Sequence, residues 1–225
     1  SAVFFARDDR TVFTASDDGD TRVWDLRSES SDTLEGQSGR IQCVSMRNQG
    51  RMVATGSSDS SLVLWDLEAR RWHHFEGHRG AVRTCCFSTN GHYLFSAGAD
   101  GCVRIWDTVQ LRTHGILPTK GGDITCIALG PHDRRLLIGS SDHSVGLWDL
   151  ETNEQLGAFL GHRRPISEVA WGPAGRTVWS SSMDRTTRCW SLEDLRTPEV
   201  ALNHTSSVRA CAFSPTQARI ASGSR

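Results

Sequence analysis

Two sets of side chains in this sequence have the makings of chemistry. His78, Ser96 and Asp100, and then His162, Ser180 and Asp184, supply the three residue types of a Ser-His-Asp hydrolase at matching spacings. A metal site is the second possibility, and "HHFEGH", with His73, His74 and His78, comes closest to ligand spacing. His73 and His74 fall in an expected outer strand, where neighbours point to opposite faces, so they cannot both join His78 at one ion. Cys43, Cys85, Cys86, Cys102, Cys126, Cys189 and Cys211 lie in apolar alternating stretches without a C-x-x-C pair, and read as buried, reduced thiols. Seven unpaired-looking cysteines argue against a secreted disulfide framework and for the cytosol or nucleus. No metal and no cofactor is expected. There is no Gly-rich phosphate loop joining strand to helix and no carboxylate pair in a recognisable context, so the chain is not expected to be an enzyme.

Composition narrows the partners. The 225 residues suffice for a substantial core, and 37% hydrophobic with 23% charged is ordinary for a soluble globular chain. No apolar run reaches the roughly 20 residues of a membrane helix, and the N-terminus lacks the order of a signal peptide. With 25 basic against 26 acidic side chains, no global field draws in nucleic acid or a membrane surface, and neither is expected as a partner. Lys120 is the only lysine, so the remaining cations are arginines.

The elements that must position these residues show up as a repeat. Trp24, Trp65, Trp106, Trp148 and Trp190 follow one another at 41, 41, 42 and 42 residues. Six residues before each stands Asp18, Asp59, Asp100, Asp142 or Asp184, which implies one recurrent turn. Nineteen residues before each stands Phe5, Met46, Phe87, Leu129 or Trp171, with Phe213 placed for a sixth repeat, and this position reads as core. Within one period, "AVRTCCF", "HYLFSAG" and "CVRIWD" are strand-like runs separated by turn clusters. A weaker fourth run ends on Leu34, Phe75, Leu117, Phe159 and Ala201. Four antiparallel strands in about 42 residues describe one blade of a β-propeller.

Gly77-His78 to Trp106-Asp107, and Gly161-His162 to Trp190-Ser191, resemble the WD40 repeats of the β-propeller family. The resemblance covers the whole chain and implies an all-β fold of four-stranded antiparallel blades. The repeats fall at about 1–28 (partial), 32–68, 72–108, 114–150, 156–192 and 199–225 (partial). That is about five and a half blades, with both ends cutting through a blade, so the expectation is a piece of a propeller of seven or more. The family also implies a buried network in which His contacts Asp, and a Ser or Thr links both to the indole N–H. The complete sets are His78, Ser96, Asp100, Trp106 and His162, Ser180, Asp184, Trp190. A serine committed in this way is no exposed nucleophile, which disposes of the hydrolase reading.

Other repeats depart from the pattern. Gln37 and Lys120 stand at the His position, Ile138 replaces the Ser or Thr, and "KGGD" replaces Gly-His, so those blades are expected to lack the full network. The Lys120 to Asp123 loop then becomes a candidate contact. Residues carried over from the family's top face are Arg40, Gln42, Arg83, Asp123, His143, Arg185 and Arg209, among neutral neighbours such as Ser60, Thr125 and Ser167. Four arginines there suit bidentate contacts with carboxylate or phosphate. The expected function is a non-catalytic scaffold that binds other proteins in a multisubunit complex, with no small-molecule substrate. The alternative is a reader of acidic or phosphorylated peptide segments, such as a ubiquitin-ligase substrate receptor.

Overall fold

Val, Ile, Trp, Phe and Cys at alternate positions favour a pleated, half-buried backbone, and Asp, Ser and Gly clusters break it at regular intervals. The computed structural model describes residues 2–5, 10–15, 21–34, 37–47, 51–119, 122–172, 175–195, 197–213 and 220–224. These form antiparallel sheets in two compact units, Ser1–Pro118 and Thr119–Arg225. In the first unit, β1 (Ala2–Phe5), β2 (Thr11–Ala15), β3 (Thr21–Asp25) and β4 (Ser30–Leu34) make one sheet. A second holds β5 (Ile41–Arg47), β6 (Met52–Ser57), β7 (Leu62–Asp66) and β8 (Arg71–Phe75), and a third β9 (Val82–Phe87), β10 (Tyr93–Gly98), β11 (Val103–Asp107) and β12 (Arg112–Leu117).

In the second unit, the fourth sheet comprises β13 (Ile124–Leu129), β14 (Arg135–Ser140), β15 (Val145–Asp149) and β16 (Glu154–Phe159). The fifth comprises β17 (Ile166–Trp171), β18 (Thr177–Ser182), β19 (Thr186–Ser191) and β20 (Pro198–Asn203), and β21 (Val208–Phe213) pairs with β22 (Ile220–Ser224). One 3-10 turn, Pro131–Asp133, joins β13 to β14. Each four-stranded sheet pairs its strands in chain order, as propeller blades do.

The five repeat tryptophans occupy the third strands in one register. Trp24 faces Val12, Trp65 Val53, Trp106 Leu94, Trp148 Leu136 and Trp190 Val178 on the neighbouring strand. First strands pack on one another within a unit, β5 against β9, and β13 against β17 against β21, so the fourth strand of each blade is its outer edge. Apolar side chains fill the space between successive sheets. Leu62, Phe75, Val82, Leu94 and Trp106 share a core between the second and third, and Leu137, Val145, Phe159, Ile166, Val178 and Trp190 one between the fourth and fifth. Burial of this kind stabilises by roughly 1.5–3 kcal/mol per large side chain, and it lies between blades, so each blade depends on its neighbour.

Three expectations need correction. Met46, Phe87, Leu129 and Trp171 are only half-buried: the last three end their strands, Met46 stands one residue before the end of its own, and Trp171 spends its indole N–H on the Ala128 carbonyl at 3.0 Å. Cys85, Cys126 and Cys189 are buried, but Cys43, Cys86 and Cys102 are half-exposed. In the fifth sheet Leu202, not Ala201, takes the place of Phe75 and Phe159, because Leu202 pairs with Thr187 as Phe75 pairs with Leu62 and Phe159 with Val145.

Candidate functional site

In the second to fifth sheets the second strand runs into a tight turn closed by the repeat aspartate. Oδ1 of Asp59, Asp100, Asp142 and Asp184 accepts the backbone N–H two residues on, from Ser61, Cys102, Ser144 and Thr186. The residue after each aspartate is left-handed: Ser60 (φ 75°), Gly101 (68°), His143 (76°) and Arg185 (70°). Three of these four are not glycine and carry local strain at the tip of the turn. The aspartates of the Trp-Asp pairs cap the next turn in the same way, Asp66 for Glu68 and Ala69, and Asp149 for Glu151 and Thr152.

In the third sheet, His78 Nδ1 lies 2.7 Å from Asp100 Oδ2, His78 Nε2 lies 2.7 Å from Ser96 Oγ, and Trp106 Nε1 donates to Ser96 Oγ at 2.7 Å. In the fifth, the corresponding distances are 2.8 Å for His162 to Asp184, His162 to Ser180 and Trp190 to Ser180. A carboxylate only accepts, so Nδ1 carries the proton. Burial lowers the pKa of both histidines, outweighing the aspartate that raises it, so Nε2 keeps its lone pair. The serine O–H therefore donates to Nε2 while its oxygen accepts from the indole. Burial alone would raise Asp184, yet hydrogen bonds from Thr186, Arg163 N–H and His162 bring it down to about 2.

Ser96 and Ser180 are 0% exposed, so neither can meet a substrate. These groups hold the turn to the loop that precedes the first strand. The glycine before each histidine has a reason too: Gly77 (φ 153°) and Gly161 (φ 148°) lie under the guanidinium groups of Arg104 and Arg188, where a Cβ would approach Nη1 to 2.7 and 2.6 Å. Those arginines in turn lie 5.9 Å from the rings of Trp106 and Trp190.

The second sheet departs from the expectation drawn from Gln37. Gln37 Oε1 accepts from Thr55 Oγ1 at 2.5 Å, its Nε2 donates to Ser61 Oγ at 2.8 Å, and Thr55 Oγ1 accepts from Trp65 Nε1 at 2.9 Å. An amide, having both a donor and an acceptor, bridges the hydroxyl beneath the indole to the turn, while Asp59 Oδ2 turns to the Ser38 and Gly39 N–H groups at 2.9 Å. Trp24 Nε1 likewise donates to Thr14 Oγ1 at 2.9 Å in the first sheet. Asp18, Lys120 and Gly121 lie outside the described residues.

The top-face candidates fall on a feature that linear spacing does not show. Register slips in the pairing of first and second strands leave Gln42, Arg83, Thr125, Ser167 and Arg209 as bulged residues, one in each repeat after the first. A bulge re-aims its side chain out of the ladder. In the first unit Arg40 and Gln42 are exposed and Arg83 half-buried, while in the second Asp123 is half-buried and His143 and Arg185 exposed. The side chain of Arg209 lies outside the described residues.

Arg163 and Arg164, which the spacing argument passed over, are exposed beside Arg185. Arg163 N–H donates to Asp184 Oδ2 at 3.0 Å, Ser182 Oγ donates to the Arg164 carbonyl at 2.9 Å, and Met183 N–H donates to the Pro165 carbonyl at 3.1 Å. Their signal was position: both directly follow the network histidine. Among the described residues no cluster of three or more His, Cys, Asp or Glu has the arrangement of a metal site.

A search of curated proteins finds no match to this chain. The family model for the WD domain, G-beta repeat, matches residues 1–25, 28–66, 70–107, 110–149, 153–191 and 197–225. Repeats of this kind make protein–protein interaction scaffolds, in general without catalytic activity, and with the model matched along nearly its whole length the chain belongs to the WD40-repeat family.

Proposed function

We propose that this chain is a non-catalytic scaffold of a multisubunit assembly in the cytoplasm or nucleus, and that one of its contacts is with an acidic or phosphorylated segment of a partner. The observation that carries the second part is the exposed trio Arg163, Arg164 and Arg185 on two segments held together by hydrogen bonds. The carboxylate bonded into those segments, Asp184, is committed to His162 and Thr186 and does not neutralise them. Guanidinium groups held on a rigid turn suit bidentate recognition of carboxylate or phosphate.

The test uses fluorescence anisotropy with two labelled peptides, one rich in Asp and Glu and one carrying phosphoserine. Arg163→Glu with Arg185→Glu leaves the backbone bonds in place and should weaken binding roughly tenfold or more, and the affinity of the unmodified chain should fall as salt rises and the Debye length shrinks below the about 8 Å of physiological ionic strength. Unchanged affinity in the double variant, with its fold intact by circular dichroism, would overturn the acidic-segment reading and leave the scaffold.

A further inference from the structure

The first unit holds two cysteines from different repeats in sulfur contact. Cys43 on β5 and Cys85 on β9 are 42 residues apart in the chain, yet their Sγ atoms stand 3.4 Å apart. β5 and β9 are the first strands of the second and third sheets and pack directly on one another. The register makes the room. Cys43 is opposite Gly56, and a Cβ at Gly56 would come to 2.6 Å from both the Cys43 Sγ and Val82, so a glycine is what lets this sulfur reach toward the third sheet. Cys85 is fixed from the other side by the core it shares with Ala54, Leu62, Val82 and Leu94.

The fourth and fifth sheets repeat the arrangement with one sulfur fewer. Cys126 pairs with Gly139 as Cys43 pairs with Gly56, but Val169 stands opposite Ser180 where Cys85 stands opposite Ser96. Cys126 and Val169 lie in one core, so the architecture accepts an isopropyl group at this point and packing alone does not call for a second thiol. A disulfide needs its sulfurs at about 2.05 Å, so the pair is roughly 1.4 Å short of a bond, a gap that side-chain rotation closes. Cys43 is half-exposed and Cys85 buried, which divides their roles: a small oxidant meets Cys43 first, and Cys85 is held against the product. The contact with Cys43 and burial push the Cys85 thiol up and keep it protonated until then.

We propose that Cys43 and Cys85 are a redox-active pair that hydrogen peroxide converts to a disulfide, a reversible staple between the second and third sheets. The Cys43 thiolate attacks one peroxide oxygen; the O–O bond breaks, leaving a sulfenic acid and a hydroxide that takes up the proton Cys43 released. The Cys85 sulfur then attacks the sulfenic sulfur, the S–O bond breaks, and the departing hydroxide leaves as water with the Cys85 proton. In sum, two thiols and one peroxide give one disulfide and two waters, with two electrons passing from sulfur to oxygen. The staple joins the strands that carry the bulged Gln42 and Arg83, and it stands whether or not the arginine trio binds acidic segments.

The experiment treats the intact, folded chain with a few equivalents of hydrogen peroxide, alkylates the remaining thiols after denaturation and maps the peptides by mass spectrometry. A linked Cys43–Cys85 peptide should appear, lighter than its parts by the two hydrogens lost, and vanish with dithiothreitol, while Cys126 stays alkylatable. The oxidised chain should melt roughly 5 °C above the reduced one, because the link restricts the unfolded chain across 42 residues. Cys85→Val, which copies Val169 of the fifth sheet, should stop at a sulfenic acid on Cys43 that dimedone traps. The mapping on the unmodified chain needs no variant to fold. The proposal is overturned if Cys43 and Cys85 both remain alkylatable, if singly oxidised Cys43 accumulates in place of the link, if peroxide consumes Cys126 as fast as this pair, or if the oxidised chain melts no higher.

Discussion

Replacing Ser180 by alanine removes one oxygen that serves two partners. The hydroxyl donates to His162 Nε2 at 2.8 Å and accepts from Trp190 Nε1–H at 2.8 Å, at a site where Ser180 and Trp190 are both 0% exposed. The volume lost is a single atom, so cavity formation contributes little and the cost is that of orphaned polar groups. A buried group left without its partner costs roughly 1–3 kcal/mol, and His162 stays anchored to Asp184, so Ser180→Ala should destabilise by about 2–4 kcal/mol. Urea melts followed by tryptophan fluorescence measure it, with the comparison made at equal m. A cycle with His162→Ala adds the diagnostic: two members of one network should be non-additive by roughly 0.5–3 kcal/mol. A loss under about 0.5 kcal/mol, or strict additivity with His162→Ala, would refute the claim that the serine is the hub and leave it a packing residue.

Asp184→Ala should cost roughly 1–3 kcal/mol at pH 7 and Asp142→Ala less, because Asp184 holds His162, Thr186 and the Arg163 N–H while Asp142, among the described residues, holds only Ser144; denaturant midpoints decide it. Since Asp184 is depressed from 3.8 to about 2, its contribution is present above pH 3.8 and is lost as pH falls toward 2, where the two variants should converge. Glu168, on the innermost strand of the fifth sheet, has the opposite sign: burial raises it from 4.5 to about 7, so its favourable effect is present below pH 4.5 and lost as pH rises through 7. Glu168→Gln should therefore match the unmodified chain near pH 4 and exceed it at pH 8, by at most about 3 kcal/mol from the shift and less because Glu168 keeps part of its surface in water. Equal stability at pH 8 would show that the charged carboxylate is solvated.

What the sequence determined by itself is whatever repeats locally. Strand alternation, the turn aspartates and the Trp period are properties of a few consecutive residues, and five copies in register make the four-stranded blade legible before any contact is known. The buried network is what the WD40 resemblance implied, and its residues could be located because the offsets from Trp106 and Trp190 match. Tertiary structure decided matters that depend on a partner strand. The bulges at Gln42, Arg83, Thr125 and Ser167 exist only as a mismatch between two strands, and Leu202 rather than Ala201 stands at the register position of Phe75 and Phe159 because pairing with Thr187, not distance from Trp190, sets it, although Leu202 itself stays exposed. Gln37 looked like a loss at the histidine position, yet its amide reaches Thr55 and Ser61 from another part of the chain. Cys43 and Cys85 are two separate thiols in the sequence, 42 residues apart. They become one pair only where folding packs β5 on β9, because a contact between strands of different sheets is set by the core that surrounds it.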